Sequence, residues 1–151
     1  MSDFDLPITM LSPSRHRRAV AQLVNQVRAT HGLAPLRFAM SLQVSARAWA
    51  VTQTRNSSFG HGNWSKRVLR FPFVLAGRPR SRAVGENLAW ATGPFTTPRA
   101  IVLAWMSSPS HRDNMLRNWQ YAAVWSTTDS PQPGHQADGV TVVHHFGRRI
   151  S

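Results

Sequence analysis

The sequence contains no cysteine among its 151 residues. This absence excludes a disulfide-stapled scaffold, a cysteine-ligated zinc site and a thiol nucleophile. Acidic groups are also scarce, because six Asp and Glu stand against 18 Lys and Arg and give a formal net charge of +12. Any bound metal would have to be held by histidine or carboxylate, and the charge favours anionic partners. The only glutamate in the chain is Glu86.

Long apolar runs are absent as well. No stretch approaches the roughly 18 apolar residues of a membrane-spanning helix, and residues 1–11 lack the apolar core of a signal peptide. We therefore expect no transmembrane segment and no signal peptide in the chain as given. With 42% hydrophobic residues, a chain of this length can bury one core. We assign 1–12 to an N-terminal arm and 13–151 to one domain.

Apolar periodicity and capping residues predict four helices. Ser12 is the predicted N-cap of the first and Ser41 that of the second. Thr97 and Pro98 begin the third, which is apolar nearly all round and should be buried. Ser108 caps the fourth, with a proline in its first turn. The predicted helices lie at residues 12–32, 41–56, 97–106 and 108–114.

Strand-forming residues are concentrated near the end of the sequence. Residues 121–128 and 139–146 predict two strands joined by a Pro- and Gly-containing turn, which suits an antiparallel pair. Residues 57–83 carry glycines and prolines and are predicted to be irregular. Because the predicted helices precede both predicted strands in the sequence, the order favours an α+β sandwich over an alternating parallel sheet.

Candidate chemistry centres on three residues, since the common metalloprotease, nucleophile-elbow, phosphate-loop and EF-hand motifs are absent. His61 lies between two glycines, Glu86 lies in a Gly-Glu-Asn sequence, and His111 lies in the first turn of the fourth helix. The helix dipole disfavours a charged imidazole there and keeps the His111 nitrogens available to metal. Taken alone, His61 fits a solvated loop histidine better than a metal ligand, and His111 fits a packed histidine as well as a ligand.

The remaining histidines receive no functional role. His144 and His145 are adjacent in a predicted strand, so their side chains point to opposite faces, one packed and one solvated. We expect His16, His31 and His135 to be exposed.

Several segments together resemble the CAP superfamily, which comprises cysteine-rich secretory proteins, antigen 5 and pathogenesis-related proteins. The pattern is most similar to the bacterial SCP-like extracellular branch. The two most specific motifs are Gly85-Glu86-Asn87 and the run from Trp105 to Asn114, which reads WMSSPSHRDN. The segments that carry the resemblance, in order, are 23–36, 42–50, 59–61, 85–89, 104–116 and 144–147.

The resemblance implies a single-domain α-β-α sandwich, a small antiparallel sheet flanked by helices, with His61, Glu86 and His111 converging in a central cavity. In the family the two histidines can bind a divalent ion, zinc in the first instance. Glu86 and Asn87 would support that cavity, and Ser108 stands where many members place a second cavity glutamate. A second departure is the sequence of residues 122–125, which reads AAVW and could narrow one wall.

Three functions fit these residues. The first is an extracellular or cell-envelope domain, monomeric, that binds a divalent metal, a small or lipid-like ligand, or both, without turnover. The second is a metal-dependent peptidase or esterase in which Glu86 deprotonates the attacking water. The third is a basic protein that binds anionic surfaces or nucleic acid, with a patch at Arg78, Arg80 and Arg82 in a loop without a counterpart in the family. The arginines that would serve this function are Arg15, Arg17, Arg18, Arg78, Arg80, Arg82, Arg148 and Arg149. No recognition-helix signature accompanies the charge, so sequence-specific nucleic-acid binding is not expected.

Overall fold

Four helices and four strands form the part of the chain that our computed structural model describes, namely residues 2–62, 82–132, 134 and 137–149. The helices are α1 (Pro13–Thr30), α2 (Met40–Arg55), α3 (Pro98–Met106) and α4 (Pro109–Leu116). The strands are β1 (Arg37–Phe38), β2 (Arg82–Thr92), β3 (Tyr121–Thr127) and β4 (Gly139–Arg149). Single 3-10 turns lie at Asp3–Asp5, Ile8–Met10 and Gly93–Thr96.

The strands form one sheet in the order β1-β3-β4-β2. β4 pairs antiparallel with β3 and β2, and the short β1 pairs parallel with β3. The predicted antiparallel pair is confirmed, but β4 continues to Arg149. β2 was not predicted, because Gly85, Glu86 and Asn87 have low strand propensity. An eleven-residue pairing with β4 overrides that propensity.

Alternation along the strands divides the core into two layers. On one face Phe146 and Val124 pack with Val24 of α1 and with α3. On the other face Val143 packs against Ala46 of α2. The α-β-α sandwich expected from the sequence is therefore the observed architecture.

The helix termini follow the predicted capping chemistry in part. Ser12 Oγ accepts from the backbone N–H of Arg15 and Thr97 Oγ from that of Ala100, as expected for N-caps. The prediction of Ser41 as the cap of α2 is wrong. The N-cap is Ala39, whose N–H pairs with Ala122 O at the end of β1, so the chain passes from strand directly into helix.

Burial of α3 is one-sided. Ile101, Val102 and Trp105 are buried, whereas Leu103 is 58% exposed. The expectation of a helix buried all round was wrong because α3 packs with α1 on one face of the sheet and leaves its outer face in solvent.

Residues 2–11 pack onto the helical layer that contains α1 and α3. Ile8 and Leu11 are buried, and the Ile8 N–H donates to Thr96 Oγ. Asp3 pairs with Arg15, and Asp5 pairs with Arg99. Among the described residues, no helix has the length and apolar character needed to cross a membrane.

Candidate functional site

Glu86 lies at the centre of a row of polar side chains between β2 and α2. Its side chain is fully buried. His145, its partner across β4, places Nε2 2.6 Å from Glu86 Oε2, and His61 places Nδ1 2.9 Å from Oε1. Ser45 of α2 lies 2.6 Å from the other nitrogen of His145. Two imidazole partners offset the cost of burying the carboxyl group.

The loop after α2 is positioned from both sides by that helix. Trp49 Nε1 donates to Gly60 O at 2.9 Å, and the Gly60 N–H donates to Gln53 Oε1 at 2.9 Å. Gly62 has φ +57, a left-handed conformation that glycine adopts without strain. The two hydrogen bonds of Gly60 fix the backbone directly before His61, whose ring bonds to Glu86.

His111 reaches the same region from the first turn of α4. Ser108 is the N-cap residue, but its hydroxyl makes no cap bond and lies 2.9 Å from His111 Nδ1. The pKa of His111 is lowered first by burial and then by the nearby His61. The ring is therefore kept neutral, as the sequence suggested, with burial as the main cause.

An amide network connects β2 to α4. Asn87 Nδ2 donates to His111 O at 3.0 Å, and Asn114 Nδ2 donates to Glu86 O at 3.0 Å and to Asn87 Oδ1 at 3.1 Å. Trp119 Nε1 donates to Asn114 O at 2.7 Å and packs against Gly85. This network sets the position of α4, and hence of His111, relative to Glu86.

These elements enclose a pocket of about 270 Å³ at the β2 edge of the sheet. The residues that line it are His61, Glu86, Ser110, His111 and Asn114. Two imidazoles, a carboxyl group, a hydroxyl and an amide thus line one small space. The three residues singled out in the sequence lie together in this pocket.

Two imidazoles are donors of the kind that proteins use to bind divalent ions. Each ring uses Nδ1 toward Glu86 or Ser108, so ligation would come through Nε2, the orientation that hydrogen-bonded metal-binding histidines adopt. Among the described residues there is no group of three or more His, Asp or Glu placed to hold a metal. Two protein ligands fall below the three usual for catalytic zinc.

The model of the cysteine-rich secretory protein family, called CAP, matches residues 21–124. That span contains α2, β2 and both histidines of the pocket. The chain belongs to the CAP family.

A bacterial relative supports this assignment. The chain is 31% identical over 105 residues to the protein YkwD of Bacillus subtilis (strain 168), covering 70% of this chain and 39% of that protein. The CAP chain described here therefore spans well under half the length of that relative.

Solved structures share the fold at low sequence identity. An outer surface protein of Borrelia burgdorferi aligns with TM-score 0.74 and 16% identity, over 92% of this chain and 96% of that one. A cysteine-rich secretory protein of Staphylococcus aureus aligns with TM-score 0.67 and 14% identity, over 89% and 39%. An extracellular SCP-domain protein of Bacillus anthracis aligns with TM-score 0.66 and 18% identity, over 92% and 44%.

Histidine burial differs from expectation in two respects in this CAP domain. His144 and His145 are both buried, because each face of β4 is covered by a helical layer. His16 is also buried. Its Nε2 lies 2.7 Å from Thr96 O, and its Nδ1 lies 2.7 Å from Ser126 Oγ. His31 is exposed as predicted, and His135 lies outside the described residues.

The pairing of β2 with β4 identifies His145 as the site residue that the sequence analysis missed. A signal was present, because His145 follows His144 in a strand and one of the two had to face the layer that holds Glu86. The partner strand was not predicted, so the contact could not be inferred.

The proposed basic patch is only partly described. Arg78 and Arg80 lie outside the described residues, whereas Arg82 lies in β2 and is 9% exposed. Burial in a paired strand does not suit a solvent-facing contact for Arg82. Residues 122–124, expected to narrow the cavity, instead line a different cavity at the opposite edge of the sheet.

Proposed function

We propose that this CAP domain works in the cell envelope or outside the cell, as a monomer, and binds a divalent cation, zinc in the first instance, in the pocket at the β2 edge. His61 and His111 would ligate the ion through Nε2. A small or lipid-like ligand would share the pocket, without turnover. The cellular location rests on family membership, since the Staphylococcus aureus and Bacillus anthracis neighbours are named as secretory and extracellular proteins.

One observation carries the proposal: His61 and His111 line one pocket, and each has its Nδ1 bonded to a partner. Such partners orient a ligating ring and raise its basicity. When bound, the cation would supply a positive charge and open coordination positions for ligand atoms. Ser110 and Asn114 then provide a hydroxyl and an amide at the pocket wall.

Binding suits this geometry better than hydrolysis. Both carboxylate oxygens of Glu86 are held by imidazoles, His61 on one and His145 on the other. A carboxylate fixed in this way orients its partners, whereas a general base needs an oxygen directed at the proton it removes.

Calorimetry with zinc chloride on chelator-treated protein tests the proposal. We expect His61→Asn and His111→Asn each to weaken zinc binding at least about tenfold, because each removes one of two protein ligands. His31→Asn is the matched control, since His31 is exposed and does not line the pocket. Zinc binding that is equal in the wild type and both pocket variants would overturn the proposal.

A further inference from the structure

A second cavity lies at the opposite edge of the sheet, beside β1. Its volume is about 390 Å³, within the range of roughly 300–1,000 Å³ usual for small-molecule sites. α1, β1, α2 and β3 all contribute to its lining, and it shares no residue with the pocket around Glu86. It is therefore a separate site in the same domain.

The wall of this β1-edge cavity is largely apolar. Ala21 of α1 and Ala122 and Ala123 of β3 present methyl groups, which leave room where larger side chains would fill the space. Phe38 of β1 also lines the cavity and is 59% exposed. Small side chains beside one exposed phenyl ring leave space for a compact apolar group of a ligand, such as an aromatic ring.

Two arginines of α1 border the same cavity. Arg17 lies with its guanidinium carbon 4.3 Å from the centre of the Trp125 ring. Arg18, also in the lining, is exposed. Among the described residues, neither Arg17 nor Arg18 has a carboxylate partner, whereas the neighbouring Arg15 pairs with Asp3. The cavity thus has two positive charges that no acidic side chain of the described chain neutralises.

A buried polar group completes the lining. His144 is 1% exposed and lines the cavity, and its Nδ1 has no hydrogen-bond partner in the described part of the chain. Its ring packs on Phe146, with centroids 4.2 Å apart. A buried polar atom without a partner costs stability unless something else satisfies it. Because Nδ1 itself is covered, a polar atom of a ligand would bond to it only after a small movement of the surrounding side chains.

We propose that the β1-edge cavity binds a compact organic anion, with its carboxylate or phosphate on Arg17 and Arg18, its apolar body against the alanine wall and Phe38, and a polar atom bonded to His144. This site is independent of the cation pocket. Its ligand is recognised by charge and shape together, which separates it from diffuse attraction of anions to a basic protein.

Calorimetry with four probes tests this proposal on the full chain. Benzoate and phenyl phosphate carry a ring and an anion and distinguish a carboxylate from a phosphate site. Phenol has the ring alone, and inorganic phosphate has the charge alone. We expect at least one of the two organic anions to bind more tightly than both phenol and inorganic phosphate. The proposal would be overturned if neither organic anion binds more tightly than both phenol and inorganic phosphate.

Variants then locate the site. Arg17→Ala and Arg18→Ala should each weaken the better probe roughly tenfold, the loss of one charge-assisted hydrogen bond. His144→Phe keeps an aromatic ring but removes the nitrogens, and should weaken binding roughly two- to tenfold. Ala21→Leu fills the cavity without changing charge and should abolish binding.

Two control variants distinguish this shaped site from diffuse charge attraction and from the cation pocket. Arg55→Ala removes the same charge at an exposed position outside the cavity and should leave affinity unchanged. His111→Asn should also leave it unchanged, so that failure of the cation proposal and failure of this one are distinguishable. Affinity that falls equally in Arg55→Ala and Arg18→Ala, or that survives Ala21→Leu, would refute a shaped site.

Discussion

Glu86 on β2 and His145 on β4 stand opposite each other in the antiparallel register and share a 2.6 Å hydrogen bond. The contact links the pocket to the middle of the sheet, since His145 is itself bonded to Ser45 of α2. Three elements of the fold thus determine where the Glu86 carboxylate lies. His61 bonds to the other carboxylate oxygen of Glu86, so the position of Glu86 also determines where the His61 ring lies.

Replacing Glu86 by Gln should weaken zinc binding about 10- to 100-fold while the fold survives, because the amide loses the charge that orients and activates His61. Melting curves with and without zinc measure this, since metal that binds only folded protein raises the midpoint. Asp113→Asn, an exposed change of the same charge on α4, is the matched control. An unchanged zinc-induced shift, with a lowered metal-free midpoint, would assign Glu86 a purely structural role.

Gly85→Ala should destabilise the protein by about 1–3 kcal/mol through overpacking. A Cβ at Gly85 would lie 2.7 Å from Cζ2 of Trp119, which is buried and bonded to Asn114. Urea unfolding measures the loss. In a Trp119→Phe background, which removes the contacted ring atoms, the same substitution should cost less. An equal cost in both backgrounds would show that the indole is not the cause.

Acid should destabilise the fold through His144. Burial, with His145 and Arg28 adding, lowers the pKa of His144 to about 3, against a value near 6.5 when unfolded. Between these values the unfolded chain binds the extra proton, so stability is full above pH ~6.5 and falls as the pH drops toward 3, by at most about 1.4 kcal/mol per pH unit for this group. His144→Phe should flatten that slope in urea unfolding, and His31→Asn should not. Equal slopes in His144→Phe and wild type would contradict this.

Zinc affinity should fall with acidity but later than for an ordinary histidine site. A protonated imidazole cannot ligate, and burial together with His61 lowers the pKa of His111, so that this ring stays neutral below the usual range. Calorimetry at about pH 7.5 and about pH 5 brackets the ordinary histidine pKa. Because the lowered pKa of His111 moves the loss of affinity to lower pH, a third measurement at about pH 4 is included, and equal affinity at all three values would exclude histidine ligation.

Much of this architecture follows from local sequence signals. The caps at Ser12 and Thr97 were predictable, because each side chain accepts a hydrogen bond from a backbone N–H three residues later. The paired strands near the end of the chain were predictable from their strand-forming residues and the turn between them. The convergence of His61, Glu86 and His111 was accessible only through resemblance to a family, since it depends on contacts between residues far apart in the sequence, such as the pair 25 residues apart formed by His61 and Glu86.

The features that were not predicted share a physical cause, namely contacts between distant parts of the sequence. β2 carries Gly85 and Asn87, which local propensity assigns to turns, and only its pairing with β4 makes it a strand. Without that strand, the burial of His145 and its bond to Glu86 could not be predicted. His16 was missed similarly, since its partners Thr96 and Ser126 lie 80 and 110 residues away.

Side chains alternate between the two faces of β4, and this alternation limits where residues can be inserted into the domain. His144 belongs to the layer of α1 and α3, and His145, its neighbour, faces Glu86 in the other layer. A residue inserted into β4 ahead of this pair would turn every later side chain to the opposite face. Glu86 would lose its buried partner His145, and the Trp105 ring would lose its contact with the His144 ring. In related domains, insertions should therefore occur in the connection between β3 and β4, where they do not change which face of the sheet each β4 side chain occupies.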